Sequence, residues 1–182
     1  ILPFTRLMGG PMDYTPGIFQ IKLDIYGKKE QIHTTLAKQL ALYVTMYSPL
    51  QMAADIPENY EKHLDAFQFI KDVPVDWDDT KIINAEPGDY ITIARKEKNK
   101  DNWFIGSITD ENEREFKVNL DFLDKDKIYT AKIYQDSKEA DWERNPMAYE
   151  IITKKVKYGD MLNIKLAKGG GAAISLIVDL DD

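Results

Sequence analysis

The sequence comprises 182 residues with no cysteine and a net charge of −7; 43% of the residues are hydrophobic and 30% are charged. This composition predicts a folded globular chain of one ordinary domain or two small ones. It excludes a disulfide framework, a cysteine nucleophile and a zinc–thiolate site, and the acidic balance argues against a general nucleic-acid-binding protein. No apolar run reaches the roughly 20 residues that a membrane helix requires.

The first part of the chain combines a short helical stretch, a short strand and a loop. Residues 1–10 are apolar and helix-like until two glycines interrupt them, and residues 12–15 are strand-like. Residues 16–17 (Pro-Gly) turn the chain, and a loop runs to about His33. The chain opens inside this apolar stretch without a basic leader, so we expect the natural protein to begin further upstream.

Two helices are predicted next. Thr34 and Thr35 are suitable caps for a helix that runs to about Tyr47. Its apolar residues lie on most sides, as in a helix buried between layers. A second helix is predicted after Pro57, and residues 73–75 form an extended exit. A short strand, a loop and a buried helix are typical of the last units of a (β/α) barrel.

The second half of the sequence predicts a string of short strands separated by turn residues. The alternation of side chains between the two faces of a strand is clearest at 128–134, where Tyr129, Ala131 and Ile133 lie on one face. About eight such segments with turns between them indicate an antiparallel β-sandwich. The predicted strands cover residues 81–86, 90–96, 102–109, 115–120, 128–136, 149–153, 161–166 and 172–179.

Four runs of residues resemble one enzyme family. Residues 2–6 (LPFTR) and 10–17 (GPMDYTPG) resemble the end of the catalytic barrel of glycoside hydrolase family 97. Residues 88–95 (GDYITIAR) and 101–111 (DNWFIGSITDE) resemble the start of that family's carboxyl-terminal β-sandwich. The resemblance covers most of the chain in the matching order.

The resemblance implies a fold and a function. It implies an α+β chain in which residues 1–75 are the last helices and strand of a catalytic (β/α)8 barrel and residues 76–182 an all-β antiparallel sandwich. The whole protein would be a bacterial α-glycosidase, an α-glucosidase or α-galactosidase acting on α-linked oligosaccharides, located in the periplasm or secreted. Inverting members of the family use calcium held by glutamates. By this resemblance the catalytic carboxylates and any calcium site lie upstream of Ile1.

Three residues are candidates for lining a substrate pocket. Asp13 ends the strand that would belong to the barrel, and the carboxyl ends of barrel strands face the active site. Tyr14 follows it directly, and Arg6 could bind a sugar hydroxyl or a carboxylate. The plainer alternatives are that Asp13 caps a turn and that Arg6 anchors a helix by a salt bridge.

The other conspicuous side chains are interpreted as structural. His33 and His63 lack a metal-ligand spacing, and the acidic residues at 76–79 and 121–126 do not match a calcium loop. The three tryptophans, Trp77, Trp103 and Trp142, serve as core or edge residues more readily than as a sugar-stacking platform. Residues 169–171 (Gly-Gly-Gly) are interpreted as a hairpin turn.

Two functions from other classes stay open: a free-standing carbohydrate-binding sandwich and a protein-interaction domain. For the leading interpretation, we expect the isolated chain to be inactive, because glycoside hydrolysis requires two flanking carboxylates. We also expect the helix at 34–47 to expose an apolar patch where barrel strands are missing. The chain would then bind the rest of the barrel or self-associate through residues 1–70, whereas the β half would stay soluble alone.

Overall fold

The computed structural model describes residues 1–27 and 29–179. Within these residues, the α-helices are α1 (Leu36–Thr45), α2 (Pro57–Tyr60) and α3 (Leu64–Asp72). Short 3-10 turns occupy Leu2–Phe4, Arg6–Gly9, Asp24–Tyr26 and Glu61–His63. The strands are β1 (Trp77–Glu86), β2 (Tyr90–Glu97), β3 (Trp103–Thr109), β4 (Arg114–Asn119), β5 (Ile128–Asp136), β6 (Tyr149–Lys157), β7 (Met161–Leu166) and β8 (Gly171–Val178). The eight strands predicted for the second half and both predicted helical segments are found, with bounds that differ by a few residues, whereas the strand-like segment at 12–15 forms only a single bridge at Tyr14.

The strands form two antiparallel sheets that pack face to face. The larger sheet has the order β1-β2-β3-β8-β5-β6, and the smaller sheet pairs β4 with β7. Ile105, Tyr129 and Leu176 of the larger sheet share a core with Val118 and Leu162 of the smaller one. The predicted antiparallel architecture of this half is therefore confirmed.

The helices cover the other face of the larger sheet. The hydroxyl of Thr35 accepts the Lys38 backbone N–H at 3.2 Å and caps α1, as the sequence predicts. A second core contains Leu40 of α1, Phe69 of α3, and Phe104 and Tyr134 of the sheet. The chain therefore has three layers: helices, a six-stranded sheet and a two-stranded sheet.

Helix α1 approaches the sheet unusually closely because glycines lie beneath it. A Cβ atom on Gly106 would lie 2.7 Å from the carbonyl oxygen of Ala41, and one on Gly171 would lie 2.6 Å from Cα of Lys38. The buried guanidinium of Arg95 on β2 donates from Nε to the carbonyl of Val44 at 2.8 Å. It thereby gives a hydrogen-bond partner to a carbonyl in the last turn of α1, where carbonyls have no partner within the helix. The backbone of α1 thus packs directly on the strands.

The expectation that α1 exposes an apolar patch is wrong. Most of its side chains are buried by this chain's own sheet and amino-terminal segment. The exposed large apolar side chains of the first 75 residues lie elsewhere; examples are Met8, Leu50, Met52 and Ile56. The sequence pattern correctly indicated a helix covered on most sides, but it could not say which elements cover it.

The interpretation of residues 169–171 as a hairpin turn is also wrong. Gly169 and Gly170 follow β7, which pairs with β4, and Gly171 is the first residue of β8, which pairs with β3 and β5. They therefore carry the chain from one sheet to the other. Gly169 has a φ of 64°, a left-handed conformation that glycine adopts without strain.

Candidate functional site

A short parallel strand pair in the first half defines the candidate site. Tyr14 and Gln51 form a parallel bridge, and the backbone N–H groups of Met52 and Ala54 donate to the carbonyls of Tyr14 and Pro16 at 3.4 and 3.0 Å. Helix α1 connects these two segments, as a crossover helix connects parallel strands. The carboxyl ends of both segments, at Gly17 and Asp55, therefore lie at the same edge, which we call the carboxyl edge.

The three pocket candidates from the sequence lie along or before the first segment. Asp13 is exposed and Tyr14 is half-buried; burial raises the pKa of Tyr14. Arg6 precedes the amino end of the segment, where its guanidinium donates to the carbonyls of Gly10 and Pro11 at 3.2 Å each. The structure does not bring Arg6 together with Asp13 in any of the clefts described below, and a substrate-binding role for all three stays a prediction.

The carboxyl edge contains side chains that sequence reasoning missed. The carboxylate of Asp55 accepts the backbone N–H groups of Phe19 and Gln20 at 2.8 and 2.7 Å. Its other oxygen accepts from the backbone of Ile56 and from the side chain of Asn59 at 2.9 and 2.7 Å. An aspartate placed two residues before a helix-starting proline was the available signal for this role.

The charge of Asp55 is stabilised by these donors. Partial burial raises its pKa, but the hydrogen bonds from Asn59, Gln20, Ile56 and Phe19 lower the pKa by more, so the net shift is downward. Asp55 is therefore a carboxylate at neutral pH with its acceptor capacity largely occupied. It can hold a loop in place, but it is poorly suited to proton transfer.

An open cleft of about 330 Å³ lies beside the carboxyl edge. Its walls include Phe19, Gln20 and Lys22 from the first loop and Asn59 and His63 from the helical segment that follows the second strand. Lys22 Nζ also donates to the carbonyl of Arg144 at 3.2 Å, so this loop contacts the sandwich. The cleft is formed where both chain segments leave the parallel pair.

A larger cleft, of about 500 Å³, lies on the sandwich instead. It is open and polar, with Glu113, Arg114, Glu150 and Lys165 among its walls and the buried Asp136 beneath. None of the described residues that line it is aromatic, so these residues offer no stacking surface for a sugar ring. We assign no ligand to this cleft.

Both histidines contact aromatic residues of the second half of the chain. The ring of His33 lies 4.2 Å from that of Trp142, centroid to centroid. His63 Nδ1 lies 3.4 Å from the hydroxyl of Tyr149, which donates to Asp65 at 2.8 Å. Burial lowers the pKa of His63. These contacts fit the structural interpretation of both residues.

The tryptophans do not form a common platform. Trp103 is buried in the core between the sheets, Trp77 packs edge-on against Phe104, and Trp142 contacts His33. The acidic residues at 76–79 bind neighbouring groups: Asp76 pairs with Lys98 at 2.7 Å, and Asp79 pairs with Lys81 at 2.8 Å. Neither feature therefore supports a separate carbohydrate-binding surface.

Across residues 1–27 and 29–179, no group of three or more His, Asp or Glu side chains could hold a metal ion. In the same part of the chain, no helix has the length and apolar character needed to cross a membrane.

The fold and the site define a class of protein: a parallel β/α segment joined to an antiparallel sandwich of six and two strands. Residues 76–177 match the family described as "Glycosyl-hydrolase 97 C-terminal, oligomerisation". The chain belongs to this family, and the family resemblance of the sequence is confirmed.

Individual relatives agree with this assignment. A retaining alpha-galactosidase of Bacteroides thetaiotaomicron is 34% identical over 180 residues, which are 97% of this chain and 26% of that protein. A glycoside hydrolase family 97 enzyme from Pseudoalteromonas sp. strain K8, solved in complex with panose, is 46% identical and superposes with a TM-score of 0.93. That match covers 98% of this chain and 28% of the enzyme. The chain thus spans about a quarter of the length of these relatives.

A more distant structure shares the fold alone. A beta-arabinopyranosidase is 24% identical, with a TM-score of 0.79, over 96% of this chain and 26% of that one. The architecture described above is therefore also found in an enzyme of lower sequence identity.

Proposed function

We propose that this chain is the carboxyl-terminal part of an α-glycosidase that cleaves α-glycosidic bonds of oligosaccharides. In this proposal residues 1–75 supply the last two strand–helix units of a catalytic (β/α)8 barrel, and residues 76–182 form a sandwich that braces them. The single observation that carries the proposal is the parallel pair of Tyr14 and Gln51, connected by α1. The relatives' names, a retaining alpha-galactosidase and family 97 enzymes, support the reaction class.

The surroundings of the parallel pair support its membership of a larger barrel. Parallel strands occur almost only in sheets that are covered on both faces. Here the second segment carries Leu50 and Met52, which are 57% and 53% exposed. Within the described residues each segment pairs with only one neighbour, so each has a free edge to which a further strand could add.

The chemistry itself would come from residues outside this chain. Glycoside hydrolysis requires two carboxylates, one on each side of the scissile bond, and the carboxylate of Asp55 at the carboxyl edge is occupied by structural hydrogen bonds. We therefore propose that residues 1–75 help to shape the opening of the substrate-binding site, which we call the substrate mouth. An α-glucoside and an α-galactoside are both candidate substrates.

The described residues do not fit a calcium site, so any calcium of the whole protein would be bound upstream, and no reaction step here involves it. A periplasmic or secreted location follows from the family resemblance. Fractionation of the producing cells would test it.

The activity proposal predicts a difference between the whole protein and this chain. We expect the full-length protein to hydrolyse p-nitrophenyl α-galactoside or α-glucoside, and the purified 182-residue chain to hydrolyse neither, because both flanking carboxylates lie upstream. A full-length protein inactive on both substrates would contradict the proposal. Turnover by the chain alone that disappears in Asp13→Asn would show that the catalytic site lies here.

Exposed apolar residues of the first 75 positions also predict self-association of the isolated chain. Burying about 400 Å² of apolar surface is worth on the order of 10 kcal/mol before the entropy costs of association. We expect light scattering to give a molar mass above the 21.0 kDa of one chain, and Leu50→Glu to shift the chain toward the monomer. Ile152→Glu, at a 38% exposed position of β6, is the matched control. A wild-type chain that stays monomeric at all concentrations would contradict this prediction.

A further inference from the structure

Four successive backbone amides at the carboxyl edge are held by two side chains. The N–H groups of Gly17 and Ile18 donate to Oε1 of Gln39 at 3.1 and 3.2 Å. Those of Phe19 and Gln20 donate to Oδ2 of Asp55. No strand ladder holds residues 17–20, and the acceptors of their amides are one residue of α1 and one residue that follows the second strand.

The carbonyl side of the same segment is fixed as well. The hydroxyl of Tyr43 donates to the carbonyl of Pro16 at 3.1 Å, and that of Tyr60 donates to the carbonyl of Gly17 at 2.8 Å. Gly17 has a φ of 86°, and a Cβ atom there would lie 2.5 Å from the Tyr43 hydroxyl. Residues 16–20 are thus preorganised from both sides, although the segment is irregular.

The position of this segment gives its fixed conformation a functional meaning. It follows the carboxyl end of the first parallel strand directly, and Asp55 follows the carboxyl end of the second. In β/α folds, ligands bind outside the carboxyl ends of the strands. Phe19 and Ile21 are 3% and 1% exposed, whereas Ile18 and Gln20 are only half-buried, and Gln20 lines the cleft beside the carboxyl edge.

We propose that Gln39 and Asp55 are positioning residues that hold residues 17–20 as a fixed rim of the substrate mouth, with Ile18 and Gln20 facing the sugar. The proposal rests on the proposed α-glycosidase function of the whole protein. Neither positioning side chain touches substrate, since their acceptor oxygens are occupied by the backbone. A rim ordered in advance lowers the entropy cost of binding, so its loss weakens substrate binding more than it slows the chemical step.

The test compares Asp55→Asn and Gln39→Leu in the full-length protein. Asparagine replaces one carboxylate oxygen with an amide donor, so the two pairs of donors around Asp55 can no longer both be satisfied. Leucine removes the acceptor of the Gly17 and Ile18 amides. We expect KM for an α-linked trisaccharide to rise about tenfold in each variant, with kcat within about twofold of wild type.

A matched control and a contact variant sharpen the test. Asp160 accepts the backbone N–H of Lys157 at 2.9 Å in the β6–β7 turn, at the end of β6 remote from Tyr149, so Asp160→Asn should leave KM unchanged. Gln20→Ala leaves the supporting hydrogen bonds of the rim intact and should also raise KM. The KM of Gln20→Ala shows whether the rim contributes to substrate binding even if Asp55→Asn fails to fold.

Two results would overturn the inference. The first is an unchanged KM in Gln39→Leu and Gln20→Ala. The second is a lower kcat with unchanged KM in both Asp55→Asn and Gln39→Leu, the signature of a smaller folded fraction. A wild-type protein that cleaves no α-glycoside would instead overturn the proposed function, and this inference with it.

Discussion

Gly106→Ala should destabilise the chain by about 2–3 kcal/mol, because the new methyl group has no room between α1 and the larger sheet. Its Cβ would lie 2.7 Å from the carbonyl oxygen of Ala41, 2.8 Å from Cβ of Val44 and 3.0 Å from Cγ2 of Thr45. The first of these is a backbone atom of a helix whose side chains are buried, so it cannot move alone. The whole helix must lift from the sheet, and its contacts with Phe104 and Tyr134 weaken.

Urea denaturation of the 182-residue chain measures this effect directly. Gly9→Ala is the matched control, because a Cβ atom there meets nothing within 4 Å and the φ of Gly9 is not left-handed. The control should leave the urea midpoint almost unchanged. Equal midpoints for Gly106→Ala and Gly9→Ala would show that α1 does not pack on the sheet as described.

The strands could be predicted from the sequence because their signals are local. Alternation places Tyr129, Ala131 and Ile133 of β5 on one face, and the structure finds all three in the core between the sheets. The pairing could not be predicted in the same way. Residues 169–171 resemble a hairpin turn locally, but β7 pairs with β4, some 40 residues earlier in sequence. Nothing in a glycine run distinguishes a turn within a sheet from a connection between sheets.

The elements that bury α1 were likewise not predictable from local sequence patterns. Its apolar residues on most sides correctly predicted burial, but burial by missing barrel strands was only one possibility. The actual neighbour is β3 together with β8, and the signal was the glycines at positions 106 and 171. A glycine within a predicted strand, such as Gly106, indicates a close backbone approach, whereas Gly171 stands in a predicted turn. Both positions can be assigned to α1 only when the sheet order is known.

The candidate site was the least predictable part of the chain. Asp13 and Arg6 are indicated in the sequence only by residue type and by proximity to a predicted strand end. The structure places the connected polar groups at Gln39 and Asp55, which are 22 and 36 residues from their backbone partners at 17 and 19. Hydrogen bonds from side chains to a distant irregular backbone leave no periodic pattern in a sequence.

Asp136 predicts a pH-dependent stability. Its side chain is 3% exposed, and burial raises its pKa to about 6. The Thr35 side chain, the backbone N–H groups of Ala167 and Gly171, and the charge of Lys38 oppose this shift in part. Oδ2 accepts both backbone N–H groups at 2.9 and 2.8 Å, whereas Oδ1 has no hydrogen bond of good geometry among the described residues. Compared with the unfolded chain, folding therefore shifts the balance of Asp136 from the carboxylate toward the neutral acid.

The sign of the effect follows from the direction of the shift. A carboxyl whose pKa is raised by folding contributes stability that is fully present below its unfolded pKa of about 3.9 and is lost as the pH rises through its folded pKa. With a folded pKa of about 6, the loss totals about 3 kcal/mol, of which about 2 kcal/mol falls between about pH 4.5 and pH 7.5. We expect Asp136→Asn, which resembles the neutral acid, to lack this loss. Its free energy of unfolding relative to wild type should rise by about 2 kcal/mol across that range.

Asp110→Asn is the control that separates this effect from a general response to losing a charge. The hydrogen bond from Arg114 lowers the pKa of Asp110 to about 2, so this carboxyl contributes stability above its unfolded pKa and stays ionised from about pH 4.5 to pH 7.5. Replacing it should therefore shift the whole stability curve without changing its slope. Urea denaturation of the three proteins at intervals across this range gives both quantities. If the difference between wild type and Asp136→Asn is independent of pH, Asp136 is ionised throughout, and the two backbone donors with Lys38 outweigh its burial.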